Sequence, residues 1–340
     1  MAERRALVTG ATGFIGSRLV AGLVAEGWAV RATGRRDRPA LLPADVEYQA
    51  VDLAADPDLG RLCEGVSHLF HLAGASSSLS DEAGMHRDNV VATERLLAAA
   101  GAIGLERVVY MSSTSVYGEQ TQLPLPVRED VELHPSRAYG KAKWRTEQVV
   151  WAAGAAGLPV LVVRPVSVYG PGNIKLLASA VLDVAIERFA GRETILVPPT
   201  EVEQRLVHID DVIRACLHLA GHPGSVGGAY NLVFPSYPSS HRVAAILAGE
   251  LGLAVGVSAD PECGPSYEER ATAHRAMLAA GMRPDILLTK ERFRFMGKAN
   301  PNNRLSVDAL LATGFCFADD DLDTGIRRTI AWYLDQRWIL

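Results

Sequence analysis

Tyr139 and Lys143 lie four positions apart in "YGKAK" (139 to 143), so on a helix they share one face. A phenol with a pKa near ~10 is a poor proton shuttle at neutral pH, and a neighbouring ammonium favours its anion and lowers that value. This spacing alone recurs by chance in many helices. Earlier in the chain, "YMSSTSVYG" (110 to 118) leaves an apolar, strand-like run and supplies hydroxyls at its C-terminal end. A hydroxyl there can hydrogen-bond a carbonyl while Tyr139 protonates its oxygen, which is general acid catalysis joined to electrostatic stabilisation.

A second chemical signal lies at the start of the chain. "TGATGFIG" (9 to 16) follows the first strand-like run and opens a helix near Ile15, with Gly10, Gly13 and Gly16 three apart. Such glycines permit a tight turn and bring backbone N–H groups and a helix N-terminus to a pyrophosphate, with Thr12, Phe14 and Ile15 in the same loop. A dinucleotide cofactor is implied, and Lys143 can then hold its nicotinamide ribose. The second strand ends near Thr33. Gly34, eighteen residues beyond Gly16, stands where such folds place the acid that binds the ribose 2′-hydroxyl. With that acid missing, Arg35 and Arg36 can meet a 2′-phosphate, which favours NADP(H); NAD(H) is the alternative, since "RRDR" also suits any exposed loop. Asp52, at the end of the third strand, can accept from the adenine amino group or cap a turn.

These groups need a frame. β-branched runs at 5 to 10, 28 to 33, 46 to 53, 68 to 74, 107 to 113 and 159 to 165 alternate with Ala/Leu-rich segments such as 17 to 26 and 89 to 103. Several are apolar on consecutive positions, as in strands buried on both faces, and the order is that of an α/β fold, a doubly wound parallel (Rossmann) sheet. "GGAYNLV" (227 to 233) can return a strand to it. We place the dinucleotide-binding domain at 1–172 with 204–234 returning, and a smaller, loop-rich substrate-binding part at 173–203 and 235–340.

The chain of 340 residues is 48% hydrophobic and 21% charged with a formal net charge of −5, an ordinary globular composition that gives no electrostatic reason for binding nucleic acid or anionic membrane. No apolar run approaches the ~18 residues of a membrane span. Cys63, Cys216, Cys263 and Cys316 are far apart and form no CxxC pair or Cys/His cluster, so they read as reduced thiols of a cytoplasmic protein with no metal site. His208 with Asp210 and Asp211 reads as a cap on a helix from 212, and His68 and His71 as packed groups at the sheet end. Trp332, Tyr333 and Trp338 read as anchors of the last helix, an oligomer contact being the runner-up.

Taken together, "TGATGFIG", "VDL" (51 to 53), "HLAG" (71 to 74), "DNVVAT" (88 to 93), "SSTSVYG" (112 to 118), "YGKAK", "RPVSVYGPG" (164 to 172) and "LVHIDDV" (206 to 212) resemble an extended short-chain dehydrogenase/reductase, the family of NAD(P)-dependent sugar epimerases, dehydratases and ketoreductases. The resemblance implies that Ser113 joins Tyr139 and Lys143 as the catalytic triad. It also implies that Asp52, Leu53, Leu72, Ala73 and Gly74 line the cofactor, that Val166 and Ser167 lie beside the nicotinamide, and that the protein is a homodimer through helices near 89 to 103 and 139 to 156. Ser76, Ser113, Thr114, Asn173 and Arg205 are the expected substrate contacts, Arg205 as a clamp on a diphosphate or, alternatively, as an ion-pair partner of Glu201 or Glu203.

Departures from the family narrow the activity. Its 4,6-dehydratases carry an Asp-Glu pair where this chain has Thr114 and Ser115, so dehydration is not expected, and Ser167 replaces an Asn common in members that act on nucleotide sugars. The leading expectation is an NADPH-dependent ketoreductase on a nucleotide-linked sugar. A nucleotide-sugar 4-epimerase with tightly bound NAD and a non-catalytic NADP-sensing module are the alternatives.

Overall fold

The computed structural model describes residues 4–40, 42–75, 81–119, 123–261, 263–286, 288–290, 304–318 and 321–340. In chain order the strands are β1 (Arg5–Thr9), β2 (Ala29–Gly34), β3 (Glu47–Ala50), β4 (His68–His71), β5 (Arg107–Met111), β6 (Val160–Pro165), β7 (Ser167–Tyr169), β8 (Thr194–Val197), β9 (Leu206–His208), β10 (Ala229–Leu232) and β11 (Ala254–Val257). The helices are α1 (Phe14–Ala25), α2 (Gly60–Cys63), α3 (Glu82–Met85), α4 (Ala92–Gly101), α5 (Ala138–Ala155), α6 (Leu177–Phe189), α7 (Ile209–Gly221), α8 (Ser240–Glu250), α9 (Tyr267–Ala279), α10 (Asp308–Leu311) and α11 (Leu322–Asp335). The chain divides into two compact units.

The first unit holds Met1–Val166, Asp210–Val233 and Leu305–Cys316. Its sheet runs β10-β6-β5-β4-β1-β2-β3, with every pairing parallel. Leu7, Leu69, Val108 and Val162 are fully buried, which accounts for the continuous apolar runs: helices must cover such strands on both faces. Each strand expected from sequence is present, including the returning β10. The sheet order reverses at β1, so the C-terminal ends of β1 and β4 form the crevice where this architecture receives ligands.

The second unit holds Ser167–Ile209, Phe234–Arg304 and Phe317–Leu340. β7 pairs with β9 and β8 with β11, both parallel. Leu182, Leu247, Ile326 and Tyr333 are buried in one core, where Trp338 stacks on Tyr333 at 5.5 Å; the C-terminal aromatics are interior packing. A buried ion pair, Arg270 to Asp183 at 2.6 Å, joins α9 to α6.

Two boundaries differ from those expected. Residues 167–172 and 204–209 belong to the second unit, because β7 pairs with β9 and not with the large sheet. Leu305–Cys316 joins the first unit, where Asn231 donates to the Ser306 carbonyl and Arg214 to the Cys316 carbonyl. Helix α7 also begins at Ile209, earlier than expected, so Asp210 and Asp211 lie in its first turn, where carboxylates suit the helix dipole. Among the described residues no helix is long and apolar enough to cross a membrane, and no His/Cys/Asp/Glu group could hold a metal.

Candidate active site

The turn after β1 is built for close approach of backbone. Gly10 has φ 68°, and a Cβ on it would stand 2.8 Å from the Ala73 nitrogen; on Gly16 it would stand 2.2 Å from the Gly10 carbonyl oxygen. Gly13 caps α1 without a side-chain acceptor, and the first turn of α1 holds no acid. The positive helix end is therefore left for an anion. Thr9 Oγ1 accepts from the N–H groups of Leu72 (3.2 Å) and Ala73 (3.1 Å), so its own proton goes to His71 Nδ1 at 2.7 Å. That leaves the proton of His71 on Nε2, donated to Thr93 Oγ1 at 2.8 Å, and Thr93 in turn donates to the Asn89 carbonyl. Burial, with Lys143 adding to it, pushes the His71 pKa down to about 3, so this chain of hydrogen bonds stays neutral. His68 is likewise packed, edge-on to Trp28 at 4.7 Å.

Residues His86–Val91, between α3 and α4, form a π-helical turn, a feature that frequently marks functional sites. Asn89 in this turn is 1% exposed; its Nδ2 donates to the Met85 and Ala75 carbonyls, whereas its Oδ1 has no hydrogen-bond partner among the described residues. That oxygen lies 2.4 Å from where a Cβ on Gly74 would stand, and Lys143 Nζ lies 3.8 Å from the same point. An unmet buried acceptor beside an ammonium and a bare glycine marks a place for a ligand hydroxyl or amide. Sequence reading missed Asn89 as a site residue; its only signal was its place in "DNVVAT".

Helix α5 carries Tyr139, Lys143 and Glu147 at four-residue intervals. Burial raises the Tyr139 pKa, and the neighbouring Ser113 side chain opposes that shift. Ser113 also donates to Ser115 Oγ at 3.1 Å and caps the short 3-10 turn Thr114–Tyr117, which places its hydroxyl at the end of β5. Lys143 Nζ donates to the Met111 carbonyl at 2.7 Å and sits 5.0 Å over the Tyr110 ring. Burial pulls its pKa down to about 8, with Glu147 opposing. The expected lowering of the tyrosine by the lysine is therefore not what this geometry produces: the ammonium is turned to a carbonyl and desolvation dominates the phenol. Thr114 Oγ1 points to the Pro165 carbonyl at 3.4 Å.

Below this trio, Glu147 and Arg164 form a buried two-point ion pair, 2.7 and 3.0 Å, that joins α5 to β6. Arg164 also donates to Tyr117 Oη (2.9 Å), which donates to Asn231 Oδ1 on β10 (2.6 Å). The helix bearing Tyr139 and Lys143 is thus keyed to three elements of the sheet side.

At the far end of the crevice Gly34 is tightly surrounded. A Cβ there would stand 2.8 Å from Thr12 Cγ2 and 3.2 Å from the Tyr48 hydroxyl, which donates to the Arg36 carbonyl. A side chain at this position would have to displace the Thr12 methyl, and Tyr48 is a further residue that sequence reading did not single out. Arg35 and Arg36 are both exposed. Asp52 Oδ1 accepts from Ala54 N–H at 3.0 Å, the turn-capping alternative, and its Oδ2 pairs with Arg87 at 2.5 Å.

The sequence pattern that matches residues 6–232 is that of the NAD dependent epimerase/dehydratase family. The chain belongs to this family. It is therefore an enzyme of NAD(P)-dependent chemistry. It is 33% identical over 201 residues to a 4-hydroxy-2-methyl-3-oxo-4-farnesyl-3,4-dihydroquinoline-1-oxide ketoreductase of Stigmatella aurantiaca; the match covers 54% of this chain and spans only 56% of that relative. A UDP-glucose 4-epimerase of Mycolicibacterium smegmatis is 32% identical, covering 84% of this chain and 95% of the relative. Among solved structures, MoeE5 in complex with UDP-glucuronic acid and NAD superposes with TM-score 0.73 at 26% identity, covering 98% of this chain and 99% of that one.

The family's dinucleotide fits the residues present. Gly10, Thr12, Gly13, Phe14, Ile15 and Gly16 would hold its pyrophosphate, and the open acceptor of Asn89 with Lys143 would meet ribose hydroxyls beside Leu72, Ala73 and Gly74. Leu53 is buried behind Asp52, and Val166 is buried with its N–H on the Leu232 carbonyl. Ser167 and Arg205 are half-buried residues of the second unit. Near Arg205 in sequence, Glu203 pairs with Arg304 at 2.7 Å and Glu201 with His241 at 3.3 Å. Asn173 Nδ2 donates to the Val168 carbonyl and its Oδ1 accepts from Lys175 N–H, both at 2.6 Å, so its side chain braces its own loop. Ser76 lies outside the described residues.

Proposed function

We propose that this chain is an NADP(H)-dependent ketoreductase acting on a nucleotide-linked sugar. The observation that carries the reading is the placing of Ser113 at the end of β5 beside Tyr139, one helical turn from Lys143, with Thr114 and Ser115 in place of the acids that dehydration requires. Ser113 would hold the substrate oxygen and Tyr139 would give it a proton or take one back. Lys143 supplies positive charge beneath this point and binds the ribose. When bound, the nicotinamide supplies or accepts hydride. Arg205, an arginine of the second unit, is the proposed clamp for the diphosphate, a role suited to guanidinium geometry.

The choice of NADP(H) is supported by Gly34, which puts no carboxylate on the ribose side, and by the exposed Arg35 and Arg36 that follow it. The ketoreductase relative favours reduction, and the structural neighbour with UDP-glucuronic acid favours a nucleotide-linked substrate. A 4-epimerase that keeps NAD(H) through its cycle is the second reading, favoured by the relative from Mycolicibacterium smegmatis. Fluorescence titration with NADPH and NADH, after assay of any nucleotide that co-purifies, separates them. Reversible NADPH binding to empty protein, with NADPH oxidation by keto-sugar nucleotides, is the expected result; retained NAD(H) with interconversion of sugar 4-epimers and no net oxidation overturns it.

A further inference from the structure

The ribose end of the crevice carries a string of alternating charges. Arg35 Nη1 donates to Asp88 Oδ2 at 2.6 Å, Asp88 Oδ1 accepts from Arg87 Nη1 at 2.7 Å, and Arg87 Nη2 reaches Asp52 Oδ2 at 2.5 Å. Arg35 and Asp88 are 53 residues apart in sequence and meet because the turn after β2 faces the π-helical turn that also presents Asn89 inward. The Asp88 side chain is 15% exposed and fixed between two guanidinium groups, whereas that of Arg35 is 59% exposed. Arg87 first, and Arg35 as well, hold the Asp52 carboxyl below its usual range, so the four groups share one local field.

A guanidinium binds a carboxylate and a phosphate through the same fork of donors. If Arg35 reads the cofactor's 2′ position, as the proposed function holds, Asp88 already occupies part of that fork. An incoming 2′-phosphate must displace or share it, and meets a like charge a few ångströms away; a 2′-hydroxyl meets neither penalty. We propose that Asp88 is a specificity-determining residue, a resident carboxylate that competes with the 2′-phosphate for Arg35 and so moderates the preference for NADP(H) over NAD(H).

The test is Asp88→Asn, which keeps shape and removes charge, with Asp88→Ser as a second variant should the first fold poorly. Dissociation constants are measured for NADPH, NADH, 2′,5′-ADP and 5′-ADP at low and high salt. Removing one like charge near a phosphate should tighten NADPH and 2′,5′-ADP by about fivefold at low salt and less at high salt, with NADH and 5′-ADP changed by less than about twofold. Adding Arg35→Ala should abolish the gain. Weaker or unchanged NADPH binding, or equal shifts for both coenzymes, overturns the proposal. A parent protein that prefers NADH but whose Asp88→Asn variant moves toward NADPH overturns the NADP(H) assignment and leaves the role of Asp88 standing.

Discussion

At the proposed catalytic end of the crevice Lys143 is 5% exposed and its ammonium is answered by a carbonyl and an aromatic face, whereas at the proposed ribose end Arg35 is 59% exposed and is answered by a carboxylate. Burial without a full counter-charge moves the lysine's pKa to about 8, close to neutrality. The arginine instead has a carboxylate partner in a solvated, screened setting. A buried, incompletely countered cation and a solvated, paired one thus sit on one sheet edge but in different dielectric surroundings.

The largest effect that sharpens this contrast is on turnover. Tyr139→Phe should lower kcat by about 10²- to 10⁴-fold while NADPH affinity changes little; steady-state kinetics with retained turnover would remove Tyr139 from the mechanism. Next comes stability at the buried end. Glu147→Ala leaves the Arg164 guanidinium buried and unpaired and should cost about 3–5 kcal/mol in chemical denaturation, whereas loss of a screened pair such as Arg35–Asp88 should cost under ~1 kcal/mol. Comparable losses would break the comparison. At the exposed end, Arg35→Ala with Arg36→Ala should weaken NADPH by about 10- to 100-fold and NADH far less, read by titration.

The smallest effect is a pH dependence. Lys143 titrates at about 8 in the fold against an ordinary 10.5, so the unfolded chain binds the extra proton between these values. Stability of the protein without cofactor should therefore rise as pH climbs from about 8 to 10.5, the burial penalty on the charged form being present below 8 and relieved above it. Lys143→Met should flatten that rise, and a denaturation series against pH measures it.

How much of this was legible in the sequence varied with the range of the contact. The strands β1 to β6 and the returning β10 were readable because their apolar runs are local consequences of double-sided burial. The α5 face with Tyr139 and Lys143, and the turn of Gly10, Gly13 and Gly16, were readable because four-residue spacing and glycine permissiveness act within a few residues. The unmet acceptor of Asn89, the Tyr48 phenol packed against Gly34, and the attachment of 305–316 to the first unit were not readable, since each depends on residues far apart in sequence.

The sequence by itself determined the order of elements, the sheet class and the placing of Tyr139 and Lys143 on one helix face, because periodicity and spacing are properties of short segments. Only the tertiary structure decided which charges meet: that Lys143 turns to Met111 rather than to Tyr139, that Asn173 serves its own loop, and that Asp88 sits on Arg35. Electrostatic partners are set by through-space distance and by the water around them, and chain order carries neither until the sheet has assembled.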